Sequence, residues 1–183
     1  MKKLNYKNFF SDLGRRYSLA GESNLISCNP GSDGSATVFF SGGTQPYNYF
    51  WNMPNSGIPQ TTQSATQLSV SGNYTIDLTD ANGCTGTENI TINQPTALVL
   101  TPSSVNSNCG NSDGQVSVQV NGGTPNYSYL WNDPSASTTS AVNNLLAGNY
   151  SVIVTDNNGC TQNTSITISD NSTGTGSILI NNN

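Results

Sequence analysis

Two copies of one motif follow each other along the chain, and this duplication constrains the fold more than any other feature. Residues 28–52 and residues 109–132 share a Cys, an Asp-Gly, a Gly-Gly-Thr and a final Trp-Asn. A second shared segment begins with Gly-Asn-Tyr at Gly72 and at Gly148, and ends with Asn-Gly-Cys-Thr. The loop between the two segments is shorter in the second copy, a change that loops absorb at low cost. The sequence therefore predicts two homologous domains in tandem.

The repeat boundaries divide the chain into four parts. We expect a basic head at residues 1–16, a first repeat at 17–95, a second repeat at 96–171, and a Gly/Asn-rich tail at 172–183. With 183 residues in total, each repeat is long enough to bury a core of its own.

Apolar and polar residues alternate in several short segments of each repeat. Alternation with a period of two predicts strands that bury one face. About seven such strands in each repeat, separated by Gly- and Asn-rich turns, predict an all-β fold in which each repeat forms one antiparallel sandwich. The alternating residues are Ala36/Val38/Phe40, Tyr47/Tyr49/Trp51, Tyr74/Ile76/Leu78 and Ile90/Ile92, with Val116/Val118/Val120, Tyr127/Tyr129/Trp131, Tyr150/Val152/Val154 and Ile166/Ile168. Two further strands are expected near residues 17–19 and 98–100.

Two local features indicate immunoglobulin-like sandwiches. Tyr74 and Tyr150 open the penultimate strand of their repeats, where such folds place a tyrosine corner. Residues 80–83 and 156–159 each run from Asp to Gly and predict hairpin turns, because Asp and Asn bond their own backbone and Gly supplies a positive φ.

Charge is sparse and uneven. The chain contains no His, which excludes Ser-His-Asp catalysis and zinc sites built on His. All five Lys and Arg residues lie in the first sixteen positions, so the repeats lack the cations that nucleic-acid binding requires. The sequence contains no run of about 18 apolar residues, so it predicts no transmembrane helix. No pair of carboxylates indicates a hydrolytic site, and we do not expect an enzyme.

The two ends of the chain are candidates for assembly. Tyr6, Phe9, Phe10 and Leu13 have helical spacing and predict a short docking helix or a leader. The head lacks the apolar stretch of a good secretory signal. In the tail, Ile178, Leu179 and Ile180 form a short strand candidate that either stays free or pairs with the sheet edge of a neighbouring subunit.

Each repeat contains two cysteines at equivalent positions. The duplication favours the pairs Cys28–Cys84 and Cys109–Cys160, one disulfide in each domain, over the other connectivities. Such disulfides would imply an oxidising compartment. Free thiols and a metal site are the alternatives, although two cysteines without His make a poor zinc site.

The remaining candidate sites repeat with the motif. Four aspartates lie at turns, where they either cap the turn or contribute to a Ca²⁺ site. The two tryptophans either pack in the core or form a platform on which a sugar stacks. These residues are Asp33, Asp80, Asp113 and Asp156, and Trp51 and Trp131. No other cofactor is expected.

The combined motif resembles the SprB-type repeat of gliding-motility adhesins and related giant surface proteins of Bacteroidota, with PKD-like modules as wider relatives. The resemblance covers residues 17–170 and includes the Cys, Asp-Gly, Gly-Gly, Tyr-x-Tyr-x-Trp and Asp-x-x-Gly-Cys positions of each repeat. It implies a secreted or cell-surface adhesive module, exported by the type IX route. Its partners would be a protein surface, a glycan, or copies of itself. The alternative is a structural subunit of a filament or a virion fibre, assembled through the head or tail.

Overall fold

The computed structural model describes residues 3–10, 16–54 and 59–171, without the side chains of residues 3–10 and 16–19. Thirteen strands and no α-helix make up the regular structure of these residues. The chain separates into two compact units, Met1–Ala97 and Leu98–Asn183. The all-β prediction is confirmed.

The first unit contains seven strands in two antiparallel sheets. One sheet has the order β1-β2-β3-β5 and the other the order β4-β6-β7. The strands are β1 (Lys3–Phe10), β2 (Arg16–Asn24), β3 (Gly34–Ser41), β4 (Asn48–Asn52), β5 (Ser64–Leu68), β6 (Gly72–Thr79) and β7 (Thr85–Ile92).

The second unit contains six strands in two three-stranded sheets. Their orders are β11-β9-β8 and β10-β12-β13. The strands are β8 (Val99–Val105), β9 (Gly114–Asn121), β10 (Ser128–Trp131), β11 (Ala141–Leu145), β12 (Gly148–Thr155) and β13 (Thr161–Ile168). In both units the first, second and fourth strands of the repeat form one sheet, and the third, fifth and sixth form the other. This is the A-B-E and C-F-G division of an immunoglobulin-like sandwich, with no strand D among the described residues.

Each unit has its own core between the two sheets. In the first, Trp51 is fully buried and belongs to a cluster with Val38 and Ile76. In the second, Trp131 is 2% exposed and belongs to a cluster with Val118 and Val152. Because these residues come from both sheets, their burial is what holds the sandwich together.

The tyrosine corner is present in both units, as predicted. The hydroxyl of Tyr74 donates to the carbonyl oxygen of Val70 at 2.8 Å, and that of Tyr150 donates to Leu146 at 3.0 Å. Each bond fixes the loop that leads into the fifth strand of its repeat.

Strands β5 and β11 escape the alternation pattern because each contains a bulge. Ala65 and Leu68 are buried three positions apart rather than two, as are Val142 and Leu145. The intervening Gln67 and Asn144 lie in the left-handed region, and the register with the neighbouring strand shifts there. A bulge adds one residue and breaks the period of two.

The head does not form the expected helix. Residues 3–10 form β1, which pairs antiparallel with β2 from Lys3↔Ser23 to Phe10↔Arg16. Leu4 and Tyr6 alternate with Lys3, Asn5 and Lys7, so the sequence also has the period of a strand. Pairing with the edge of an existing sheet supplies backbone hydrogen bonds and overrides the helical spacing.

The predicted disulfides within the repeats, Cys28–Cys84 and Cys109–Cys160, are wrong. Cys28 and Cys160 are disulfide-bonded, whereas Cys84 and Cys109 carry free thiols.

Strand β7 explains why Cys28 does not bond to Cys84. Cys84 directly precedes β7, but Cys28 lies beside the chain that follows it, where the N–H of Ile26 bonds to the carbonyl oxygen of Asn93 at 3.0 Å. The eight residues of β7 span roughly 26 Å at ~3.3 Å per residue. A disulfide requires Cα atoms within about 7 Å.

Strand β13 separates the cysteines of the second repeat in the same way. Cys160 directly precedes β13, whereas Cys109 lies beyond its other end. There the N–H of Ser107 bonds to the carbonyl oxygen of Ser169 at 3.1 Å, and the N–H of Gly110 to Asp170 Oδ2 at 3.2 Å. Duplication preserves the positions of the cysteines but does not bring them together.

Within the part of the chain that the structure describes, no helix is long and apolar enough to span a membrane.

Candidate functional site

The turn between the last two strands of each unit is organised by a buried aspartate. Asp80 Oδ1 accepts the N–H groups of Asn82 and Cys84, both at 2.9 Å, and its Oδ2 accepts that of Thr44 at 3.0 Å. The carboxylate therefore joins the β6–β7 turn to the β3–β4 loop.

Asp156 repeats this arrangement in the second unit. Its Oδ1 accepts the N–H groups of Asn158 and Cys160 at 2.9 Å, and its Oδ2 accepts that of Thr124 at 2.7 Å. Asn158 Nδ2 also donates to the hydroxyl of Thr124 at 2.9 Å. The two halves of the repeated motif, Gly-Gly-Thr and Asp-x-x-Gly-Cys, thus meet at one end of each sandwich.

These hydrogen bonds keep the aspartates ionised. The N–H of Cys84, followed by that of Thr44, lowers the pKa of Asp80 below its ordinary value. Burial raises the pKa of Asp156, but the N–H groups of Thr124 and Cys160 outweigh burial, so the pKa is lowered overall.

Asp33 and Asp113 cap the loop that contains the first cysteine of each repeat. Asp33 Oδ1 accepts the N–H of Ser27 at 2.9 Å, and Asp113 accepts both the N–H and the side-chain amide of Asn108 at 2.8 Å. The side chain and then the backbone of Ser27 lower the pKa of Asp33, and those of Asn108 lower the pKa of Asp113.

The structure does not bring the four predicted aspartates together. Asp33 lies near the end of β7 in the first unit, whereas Asp80 lies near its start. Asp113 and Asp156 have the corresponding positions around β13. Among the described residues, no three Cys, Asp or Glu side chains form a group that could hold a metal ion. Their oxygens are directed at backbone N–H groups, which is the capping interpretation of these residues.

Both tryptophans lie in the core. Trp51 Nε1 donates to the carbonyl oxygen of Thr62 at 2.8 Å, and Trp131 Nε1 donates to that of Thr139 at 2.9 Å. With their rings buried, the indoles anchor the loop after the third strand of each repeat and offer no face to a sugar.

Of the assembly candidates, Tyr6, Phe9 and Phe10 lie on β1. Leu13 and the tail residues Ile178, Leu179 and Ile180 lie outside the described residues.

A groove in the second unit is a candidate binding site that the sequence analysis missed. It has a volume of about 440 Å³ and lies between the loop after β10, the strand β11 and the start of β12. Its lining includes Asp133, Ser135, Ser137, Asn143, Leu146 and Tyr150. The only signal in the sequence is the difference in length between the two copies in this loop.

The walls of the groove differ in chemistry. Asp133 is 7% exposed, and it accepts hydrogen bonds from the N–H of Ser137 at 2.7 Å and from its hydroxyl at 2.9 Å. Leu146, another lining residue, is 51% exposed. Asn143 lines the groove from β11 and is exposed.

The charge of Asp133 is held in place by its own loop. Burial raises the pKa of Asp133, but the hydrogen bonds from Ser137 and Ser135 outweigh it and lower the pKa overall. Because residues 17–183 contain no Lys or Arg, no cation of the repeats accompanies this carboxylate. The groove therefore offers hydroxyl and amide groups together with the apolar side chain of Leu146. Its carboxylate, Asp133, already accepts hydrogen bonds from its own loop.

The SprB repeat family matches the chain at residues 23–56 and 101–136. Each of the two units therefore contains a segment similar to the SprB repeat. Each match runs from the strand before the first cysteine to the loop after the tryptophan, so the family model covers about the first half of each sandwich. No curated protein matches the chain in sequence.

Among solved structures, the chain is similar to several fragments. A C-terminal fragment of intimin, in complex with the intimin-binding domain of its receptor Tir, is 12% identical with a TM-score of 0.43. The alignment covers 93% of this chain and 64% of that fragment. The N-terminal eight Ig domains of the Down syndrome cell adhesion molecule are 14% identical with a TM-score of 0.41, covering 87% of this chain and 28% of that one. Domains 3 and 4 of rat CD4 are 13% identical with a TM-score of 0.27, covering 91% and 94%.

Proposed function

We propose that the chain is a non-catalytic adhesion module displayed outside the cell, and that the groove of its second repeat binds a neutral glycan. The observation that supports this proposal is the match of each unit to the SprB repeat model, together with its immunoglobulin-like sandwich fold. Such sandwiches are rigid supports, on which binding residues lie in loops and on exposed strands.

The chemistry of the groove favours a neutral glycan over a charged one. A sugar presents hydroxyl groups on its edges and C–H groups on its faces, which suit the Ser and Asn side chains and the Leu146 edge. An anionic sugar would meet the Asp133 carboxylate with no cation nearby, so its desolvation would be uncompensated.

A disulfide and a chain of formal net charge −5 fit an extracellular location. Export by the type IX route and a role in gliding are what the family resemblance adds to this proposal. Labelling intact cells with an antibody to the chain, before and after treatment with proteinase K, tests the location. Labelling that appears only after permeabilisation would contradict it.

The binding proposal is tested with beads that carry the full chain, held under flow on immobilised dextran, agarose or xylan. We expect retention on at least one of these polysaccharides and none on albumin. Asn143→Arg places a long cation in the groove and should lower retention at least tenfold. Asn163→Arg is the matched control, because Asn163 is exposed on β13 in the other sheet of the same unit.

Equal loss in both variants would mean that added charge, not the groove, controls binding. Retention on albumin equal to that on polysaccharide would make the partner a protein surface and overturn the glycan assignment. The alternative of a filament subunit docked through a helical head receives no support from β1, which is paired with β2.

A further inference from the structure

The two cysteines of each repeat lie too far apart to bond to each other. In each repeat the first cysteine lies at one end of the last strand and the second cysteine lies at the other end, roughly 26 Å away. No side-chain movement closes that distance to the length of a disulfide. Neither the first nor the second cysteine of a repeat can therefore bond to the other cysteine of the same repeat.

The first cysteines and the second cysteines each include one bonded and one free member in this chain. Cys28, a first cysteine, and Cys160, a second cysteine, are disulfide-bonded. Cys84, the remaining second cysteine, and Cys109, the remaining first cysteine, are free. One first cysteine and one second cysteine therefore keep a free thiol, and a cysteine at each of the two positions takes part in a disulfide.

The free thiols are accessible in their own units. Cys109 is exposed, and it adopts a positive φ of 48° in the turn that follows β8. Cys84 is half-buried, and the N–H of its own backbone is held by Asp80 in the β6–β7 turn. The aspartate fixes the backbone of Cys84 just as Asp156 fixes that of the bonded Cys160.

We propose that copies of this chain join covalently, through a disulfide between Cys109 of one copy and Cys84 of the next. The two ends of the link are different, so the linked assembly keeps one free cysteine at either end and a further copy can be added. This inference does not depend on glycan binding.

The bond forms by two thiol–disulfide exchanges with a low-molecular-weight disulfide such as oxidised glutathione. The thiolate of Cys109 attacks one sulfur of glutathione disulfide, forming a mixed disulfide and releasing one glutathione thiolate. The thiolate of Cys84 from the second copy then attacks the Cys109 sulfur and releases the second glutathione. Two protein thiols are oxidised, and one glutathione disulfide is reduced to two thiols.

The test is incubation of the purified full chain with oxidised glutathione, followed by electrophoresis without reductant. We expect a ladder of multiples of 19.2 kDa that collapses to the monomer on reduction. A wild-type chain that remains monomeric at high protein concentration would overturn the proposal.

Single variants separate specific pairing from random oxidation. Cys84→Ser keeps only the free thiol of Cys109, and Cys109→Ser keeps only that of Cys84. Neither variant alone should therefore form dimers. Mixed in equal amounts, they should give one heterodimer and nothing larger. If either variant formed homodimers as fast as the mixture forms the heterodimer, the proposed pairing of Cys109 with Cys84 would be contradicted.

Peptide mapping identifies the bond. Because Lys and Arg lie only in the first sixteen residues, trypsin cannot map the repeats, and chymotrypsin with endoproteinase Asp-N is used instead. We expect the peptide of Cys109 joined to that of Cys84. Near-UV circular dichroism of each variant establishes that Ser substitution leaves the fold intact. A ladder linked through Cys28 or Cys160 instead would refute the assignment.

Discussion

The carboxylate of Asp156 accepts a hydrogen bond from the backbone N–H of Thr124 at 2.7 Å, across 32 positions of sequence. Together with the bonds to Asn158 and Cys160, it ties the β9–β10 loop to the β12–β13 turn. The equivalent Asp80 does the same for Thr44. The Asp of the repeated motif is therefore a structural clamp between two loops that are distant in sequence.

Replacing Asp156 by Ala should destabilise the second unit by about 3 kcal/mol, because three backbone N–H groups lose a charged acceptor. Chemical denaturation followed by tryptophan fluorescence measures the effect. Asp170→Ala is the control, since Asp170 is exposed and accepts a single bond, from the N–H of Gly110. Equal losses for the two variants would mean that Asp156 is not a clamp.

Stability should fall in acid because Asp133 and Asp156 have lowered pKa values in the folded state. The unfolded chain then binds protons more readily than the folded one, so stability rises with pH. The contribution is complete above the unfolded pKa of about 3.9, and it is lost as the pH falls from there through the folded values. Melting temperatures between about pH 6 and pH 2 test this. In Asp156→Asn the acid decline should be shallower, and an unchanged slope would contradict the assignment.

The two tyrosine corners should differ in strength. Tyr74 is 2% exposed, so Tyr74→Phe leaves the carbonyl oxygen of Val70 without its bond in a partly buried site and should cost about 1 kcal/mol. Tyr150 is more exposed and water replaces its bond, so Tyr150→Phe should cost less. Calorimetry of the two variants provides the comparison. The reverse order would show that burial does not set the strength of the corner.

Substitutions at Gly159 and Gly123 distinguish the cost of backbone strain at a positive φ from the cost of steric contact between a new Cβ and its neighbours. At Gly159, φ is +84° and a Cβ would meet nothing within 4 Å, so Gly159→Ala should cost about 1–2 kcal/mol from strain alone. At Gly123, φ is +64° and a Cβ would lie 2.8 Å from Asp156 Oδ2. Gly123→Ala should therefore destabilise the unit more than Gly159→Ala does in urea denaturation. Equal effects would show that the clamp relaxes to accept the methyl group.

The sequence predicted the fold wherever one periodicity dominates. Alternation located β3, β6 and their counterparts β9 and β12, and the Gly-Asn-Tyr segments located both tyrosine corners. It failed at β5 and β11, because the left-handed Gln67 and Asn144 add a residue to the strand. It also failed at residues 3–10, where helical and alternating patterns coincide and pairing with β2 decides between them.

The sites were less predictable than the fold. Equivalent cysteines indicate duplication, but only the strand lengths show that Cys28 and Cys84 lie at opposite ends of a sandwich. The groove depends on one loop length and on the exposure of Leu146, neither of which has a periodic signature. Local patterns thus reveal local structure, whereas distances between loops require the assembled sheets.

The placement of the two cysteines at opposite ends of β7 also has a mechanical consequence. Cys84 lies in the turn that joins β6 to β7, whereas Cys28 lies in the loop that joins β2 to β3 in the other sheet. Tension applied through these two cysteines would therefore pull the β6–β7 hairpin as one piece, held by its eight registered residue pairs from Gly72↔Ile92 to Thr79↔Thr85, against the opposite sheet. The load would fall on the packed core between the two sheets rather than open a hairpin from its end.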